Sequence, residues 1–128
     1  MAVYKKSEDL AKIGSKLIEE KEVFAHLRNP SCRIAYQECD TSKTNNGKTV
    51  YADTEKVKDK LKALLPYDFI ITFYGDSLDL SEETKEKLMY HELRHVGFEA
   101  ETLKYSIIPH DIEDFKDVIN QWGVDWIV

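Results

Sequence analysis

Between Ser7 and Leu27 the apolar residues Leu10, Ile13, Leu17, Ile18 and Phe24 recur at helical spacing, with Lys and Glu on the other side. That pattern predicts an amphipathic first helix, closed by Asn29-Pro30. Ser31 to Cys39, centred on Arg33-Ile34-Ala35-Tyr36, reads as a strand. The stretch Asp40 to Lys48 (DTSKTNNGK) reads as a turn-rich loop in which Asn46-Gly47 is a strong turn dipeptide. A second strand is expected over about Thr49 to Thr54. Val57, Leu61, Leu64 and Leu65 return to helical spacing and predict a short helix from Lys56 to Leu65, ended by Pro66. Phe69 to Tyr74 is the best strand of the chain, aromatic and β-branched, bounded by Asp68 and Gly75.

A helix is predicted from Ser81 to about Val96. Asp79 or Ser81 can cap it, and Glu82, Glu83 and Glu86 near its start suit the helix dipole. Gly97 reads as its stop, and a loop carrying Tyr105 leads to Ile107-Ile108-Pro109. Pro109 can open a last helix to about Trp122, striped by Ile112, Phe115, Val118, Ile119 and Trp122; Trp122 and Trp126 read as core anchors. An N-terminal helix, about three strands in one sheet and two or three further helices make a small α+β domain, expected to span residues 1–128 as one unit.

Composition changes this picture little. With 33% charged residues and a net charge of −6, the chain expects a heavily solvated surface and argues against a protein that blankets phosphates. Lys56, Lys58, Lys60 and Lys62 cluster, but Glu55 and Asp59 are interleaved, so a solvated face is the reading and nucleic acid is not an expected partner. No secretory signal and no membrane-spanning run is visible. Cys32 and Cys39 lie seven apart in one predicted strand, on opposite faces and out of reach of each other, which fits two free thiols in a reducing cytoplasm.

The chemistry is concentrated in His91-Glu92-Leu93-Arg94-His95, an HExxH pattern on the predicted third helix. Residues four apart share one helix face, so two imidazoles can converge on one metal ion. Glu92, one position on, can reach a water activated by that metal without being a ligand. A catalytic tetrahedral zinc takes three protein ligands and keeps one open position. The metzincin extension fails, because Phe98 and Glu101 stand where it needs Gly and His. His110 is the preferred third ligand, with Asp111 and Asp114 near enough in sequence to orient its ring; Glu99 or Glu101 is the alternative. His26 reads as an ordinary surface or capping residue.

The stretch YDFIITFYGDSLDLSEETKEKLMYHELRHVGF, followed by PHDIEDFKDVINQWG, resembles the phage metallopeptidase family, which is zincin-like. The resemblance covers most of the chain after residue 30 and is most specific at HELRH and PHDIEDF. It implies a zincin-type fold, a metal bound by His91, His95 and His110, and Glu92 as the catalytic residue; a zinc ion and a protein or peptide substrate are the expectation that goes with that chemistry. In such sites the strand before the active-site helix often lines the cleft, which makes Phe69–Tyr74 either a substrate-pairing edge or a wholly buried central strand. Tyr74, Tyr90, Tyr105 and Arg94 are the candidates for stabilising an oxyanion. A second function class stays open: a non-catalytic interaction or inhibitor protein on the same scaffold, with a structural or vestigial metal site.

Overall fold

A computed structural model describes residues 2–109, and the predicted C-terminal helix, with His110, Trp122 and Trp126, lies outside them. The architecture is α+β. Among the described residues two α-helices, α1 (Glu8–Glu20) and α2 (Glu82–Leu93), accompany eight strands, which are β1 (Tyr4–Lys6), β2 (Ile34–Cys39), β3 (Lys43–Asn45), β4 (Lys48–Val50), β5 (Ala52–Lys56), β6 (Phe69–Phe73), β7 (Val96–Glu99) and β8 (Lys104–Ile107). The main sheet has four strands in the order β1-β2-β6-β5. β2 runs parallel to β6, with Ile34 beside Phe69, while β1 and β5 are antiparallel to their neighbours. β3–β4 and β7–β8 are separate hairpins.

The first helix is shorter than predicted. Ser7 caps it by accepting the Leu10 N–H, and its helical hydrogen bonding stops at Lys21, whose backbone is extended. The chain resumes as a 3₁₀ helix over Glu22–Arg28, which turns Phe24 and Leu27 into the core. Arg28 makes the break tolerable: its guanidinium donates to the carbonyls of Ile18 (2.8 Å) and Glu19 (2.9 Å), two groups the helix end leaves without helical partners.

The predicted helix over 56–65 is reduced to one 3₁₀ turn, Asp59–Leu61. Of its apolar residues only Val57 is buried, and Leu64 is 80% exposed. A ten-residue helix without a buried face does not repay the cost of its first turn. β1 escaped the hydrophobic pattern because all three of its residues are exposed. The expected 49–54 strand is divided between β4 and β5. Asn46 (φ 53°) and Gly47 (φ 76°) form the tight turn of the β3–β4 hairpin, as their dipeptide predicts.

β6 is the middle of the fold. Phe69, Ile71 and Phe73 alternate onto one face and are completely buried. They share one core with Leu10 and Leu17 of α1, Phe24 and Leu27 of the 3₁₀ helix, Met89, Tyr90 and Leu93 of α2, and Val96 and Phe98 of β7. Since β6 is flanked by β2 on one side and β5 on the other, it offers no edge to a substrate. Phe69–Tyr74 is therefore the central strand and not a substrate-pairing edge, and among the described residues the sheet ends at β1 and β5.

At the start of β6, Asp68 is 1% exposed and receives Arg33 (Nε, 3.2 Å; backbone N–H, 2.8 Å) and Lys62 (3.3 Å). Burial pushes its carboxyl up, but the Arg33 and Lys62 hydrogen bonds outweigh this and hold it below the usual carboxylate range. Lys62 also lies 3.9 Å over the Tyr105 ring of β8. Both cysteines are free and buried, and burial with the nearby Asp68 charge pushes the Cys32 thiol up to about 12. Among the described residues no helix is long and apolar enough to cross a membrane.

Candidate metal centre

The last turn of α2 supplies His91 and the buried Glu92. Ser81 starts this helix by accepting the Thr84 N–H, and Glu82 and Glu83 stand in its first turn, as predicted. Its end differs from the prediction. The α-helix stops at Leu93 rather than Val96, and His95 lies in the turn beyond it. The chain tightens there, with the His95 N–H donating to the Glu92 carbonyl (3.0 Å) and the Arg94 N–H to Tyr90 (3.2 Å). Gly97, expected as the helix stop, instead sits inside β7, where a Cβ would stand 2.8 Å from the Ser106 carbonyl oxygen of β8. The two strands approach too closely for a side chain at that position.

Despite the early helix end, the two imidazoles meet. Their Nε2 atoms are 3.4 Å apart and their rings cross at 73°. The β7–β8 hairpin returns to His95 and grips it twice. The Ile108 N–H donates to the His95 carbonyl (2.8 Å), and His95 Nδ1 donates to the Ile108 carbonyl (2.7 Å). A carbonyl only accepts, so this ring carries a proton on Nδ1, and in its neutral form Nε2, the nitrogen facing His91, is the one with the lone pair. Fixing a ligand ring by a backbone carbonyl is how metal-binding histidines are commonly held. The Ile108 acceptor is itself constrained, since Pro109 biases its backbone toward extended conformations.

Glu92 completes the cluster: ligand atoms of His91, Glu92 and His95 lie within 4.8 Å of one another. Glu92 as a whole is 4% exposed. Thr54 Oγ1 on β5 approaches its carboxylate, 2.8 Å from Oε1 and 3.1 Å from the Glu92 carbonyl oxygen. Two nitrogens each ~2.05 Å from one tetrahedral zinc stand about 3.3–3.4 Å apart. The observed His91–His95 spacing of 3.4 Å matches, so the donors present fit such an ion.

Of the other residues picked from sequence, His110 lies outside the described residues. Glu99 ends β7 opposite Lys104, Glu101 sits in the hairpin turn, and both are exposed and stand apart from the His–Glu–His cluster. His26 is exposed, as expected. Two of the oxyanion candidates hold other partners: the Tyr74 hydroxyl donates to Asp53 (2.9 Å) and that of Tyr105 to the Ser31 carbonyl (2.8 Å). Tyr90 is buried with its ring 5.0 Å from Phe24, and Arg94 caps the end of α2. Burial and the Asp53 bond push the Tyr74 hydroxyl up to about 12. Thr54 and the Ile108 carbonyl were not singled out in the sequence. No local signal marks Thr54, and for Ile108 only the following proline hints at an extended acceptor.

The family model described as "Putative phage metallopeptidase" matches residues 2–128, and the chain belongs to that family. No curated protein and no solved structure matches the chain.

Proposed function

We propose that this member of the phage metallopeptidase family is a zinc-dependent peptidase of the zincin type, with His91, His95 and His110 holding the ion and Glu92 moving the proton. The observation that carries the reading is the 3.4 Å approach of two imidazole nitrogens, one with its lone pair set by Ile108, beside a buried carboxylate. Zinc bound there would supply Lewis acidity, polarising the scissile carbonyl and bringing the pKa of water toward 7. Glu92 takes a proton from the attacking water and passes it to the leaving amine nitrogen as the C–N bond breaks. His95, locked by its hairpin, keeps the donor set rigid, so little rearrangement is needed when the ion enters. A protein or peptide is the proposed substrate. The buried free thiols favour a reducing cytoplasm.

Metal content and hydrolysis of fluorescently labelled casein, measured on the same preparations, test the reading. The protein should carry about one zinc per chain. Glu92→Gln should keep the metal and lose hydrolysis, and His95→Ala and His110→Ala should each lose both. Hydrolysis undiminished in Glu92→Gln would overturn the mechanism. Zinc bound with no hydrolysis in the unmodified chain would favour a non-catalytic interaction protein. Full zinc content in His110→Ala would remove His110 from the ligand set.

A further inference from the structure

We propose that Thr54 is a positioning residue that orients the Glu92 carboxylate for proton transfer. The inference rests on the peptidase reading above and adds a residue that the HExxH pattern does not contain.

Thr54 lies on β5, at the end of the four-stranded sheet, 38 positions before Glu92. Alternation along the strand sends Asp53 the other way, into a cluster with Lys43 (2.6 Å) and Tyr74. Thr54 shares the face of Ala52, which belongs to the core. Its hydroxyl thereby reaches the end of α2, where it stands 2.8 Å from Glu92 Oε1 and 3.1 Å from the Glu92 carbonyl. The hydroxyl has one proton and two acceptors. The shorter contact is to the carboxylate, and an ionised acceptor attracts the proton more strongly than a neutral carbonyl.

Two consequences follow. Glu92 is a buried residue, so its carboxylate has little room for water, and the Thr54 hydroxyl supplies a hydrogen-bond donor in its place. More specifically, a bond to Oε1 from a residue on a different element removes rotational freedom about the last bonds of the Glu92 side chain, which helix packing alone leaves soft. The β-branched Thr has few χ1 choices, so the donor is itself well placed. Removing a buried partner that orients an active group commonly lowers activity by ~10–100-fold.

Thr54→Val keeps the shape and deletes the donor, whereas Thr54→Ser keeps the donor. With zinc-loaded protein and labelled casein, Thr54→Val should lose ~10–100-fold in kcat with little change in KM or zinc affinity. Thr54→Ser should remain within about threefold of the parent. Crystal structures of the zinc-loaded parent and Thr54→Val provide a readout independent of turnover: the Glu92 carboxylate should sit against Thr54 in the first and turn away or adopt several rotamers in the second. An unchanged carboxylate position in Thr54→Val overturns the proposal. So does an unchanged kcat, or a kcat loss matched by equal losses in zinc affinity and Tm, which would mark a merely structural residue. Should Thr54→Val not fold, Thr54→Ser decides: a tenfold or greater loss of kcat there, with the hydroxyl retained, overturns the proposal. If the parent chain hydrolyses nothing, the peptidase reading fails by itself, while the crystallographic comparison still decides whether Thr54 orients Glu92.

Discussion

Asp68→Asn isolates an ionic contribution in a chain whose surface charges otherwise count for little. Asn preserves the volume and an acceptor for the Arg33 backbone N–H (2.8 Å in the parent), but it removes the anion that receives Arg33 at 3.2 Å and Lys62 at 3.3 Å. Breaking a buried pair from one side costs about 3–5 kcal/mol when the remaining charge stays buried. Here the stranded cations are partly wetted, Arg33 at 45% and Lys62 at 19% exposure, and water recovers part of that. The expected loss is about 2–3 kcal/mol, or a fall in Tm of roughly 8–12 °C for a domain of this size. Urea unfolding followed by circular dichroism measures it, with an unchanged m-value as the sign that only stability moved.

The pH dependence adds a second check. The folded-state pKa of Asp68 lies below its unfolded value of about 3.9. Its stabilisation is therefore complete above that unfolded value and is lost as the pH falls through the folded one. The gap between parent and Asp68→Asn should be full at neutral pH and should narrow below about pH 4. A gap under about 0.5 kcal/mol at neutral pH, within the range of ordinary surface substitutions, or one that persists undiminished in acid, would refute the ionic account.

Gly14→Ala sets two effects against each other: Ala gains ~1 kcal/mol of helix propensity, but its Cβ would stand 2.5 Å from the Tyr36 ring and hydroxyl. Displacing that ring costs about 1–3 kcal/mol, so a net loss of about 1 kcal/mol is expected in thermal unfolding, and a gain would show that Tyr36 moves freely. Alkaline absorbance titration of Tyr74→Phe should lose one phenol from the step near pH 12 and none from the step near pH 10, because burial and Asp53 raise this hydroxyl. Its folded pKa is raised, so the corresponding stabilisation is full below about pH 10 and is lost as the pH rises toward 12; a phenol missing from the lower step would contradict it.

The parts of this fold that could be read from sequence are those where burial and local chemistry agree. Phe69 to Phe73 is apolar at every position but Thr72 because both its edges are paired and most of it is buried, and Ser81, one of the two caps the sequence offers, begins α2 with glutamates directly after it. Where a segment's fate depends on a partner far along the chain, the pattern misleads. Nothing near Lys21 announces that Arg28 will fold back to satisfy the carbonyls of Ile18 and Glu19, so the first helix reads as continuous. The Leu61, Leu64 and Leu65 spacing is helical, but all three are exposed and no described element covers them. β1 has no buried apolar face to detect, being held by its backbone ladder to β2 and by the polar contacts of Lys5 with Glu38 and Lys6 with Tyr67.

The same division runs through the candidate site. His91, Glu92 and His95 are legible because their spacing is a property of one helical turn, and it survives even though the α-helix ends at Leu93, since a 3₁₀ turn still returns His95 to the same side. What the spacing cannot encode is orientation. The tautomer of His95 is decided by a carbonyl 13 residues later, and the Glu92 carboxylate is met by a hydroxyl 38 residues earlier. An HExxH helix without that hairpin and that edge strand would carry the same five residues but lose the Ile108 contact to the His95 ring and the Thr54 contact to the Glu92 carboxylate. The cost of ordering them would then fall on metal and substrate binding. The fold thus contributes to the chemistry by settling in advance which nitrogen presents its lone pair and how the carboxylate lies, and Thr54→Val and the His95–Ile108 clamp are where that contribution can be measured apart from the motif itself.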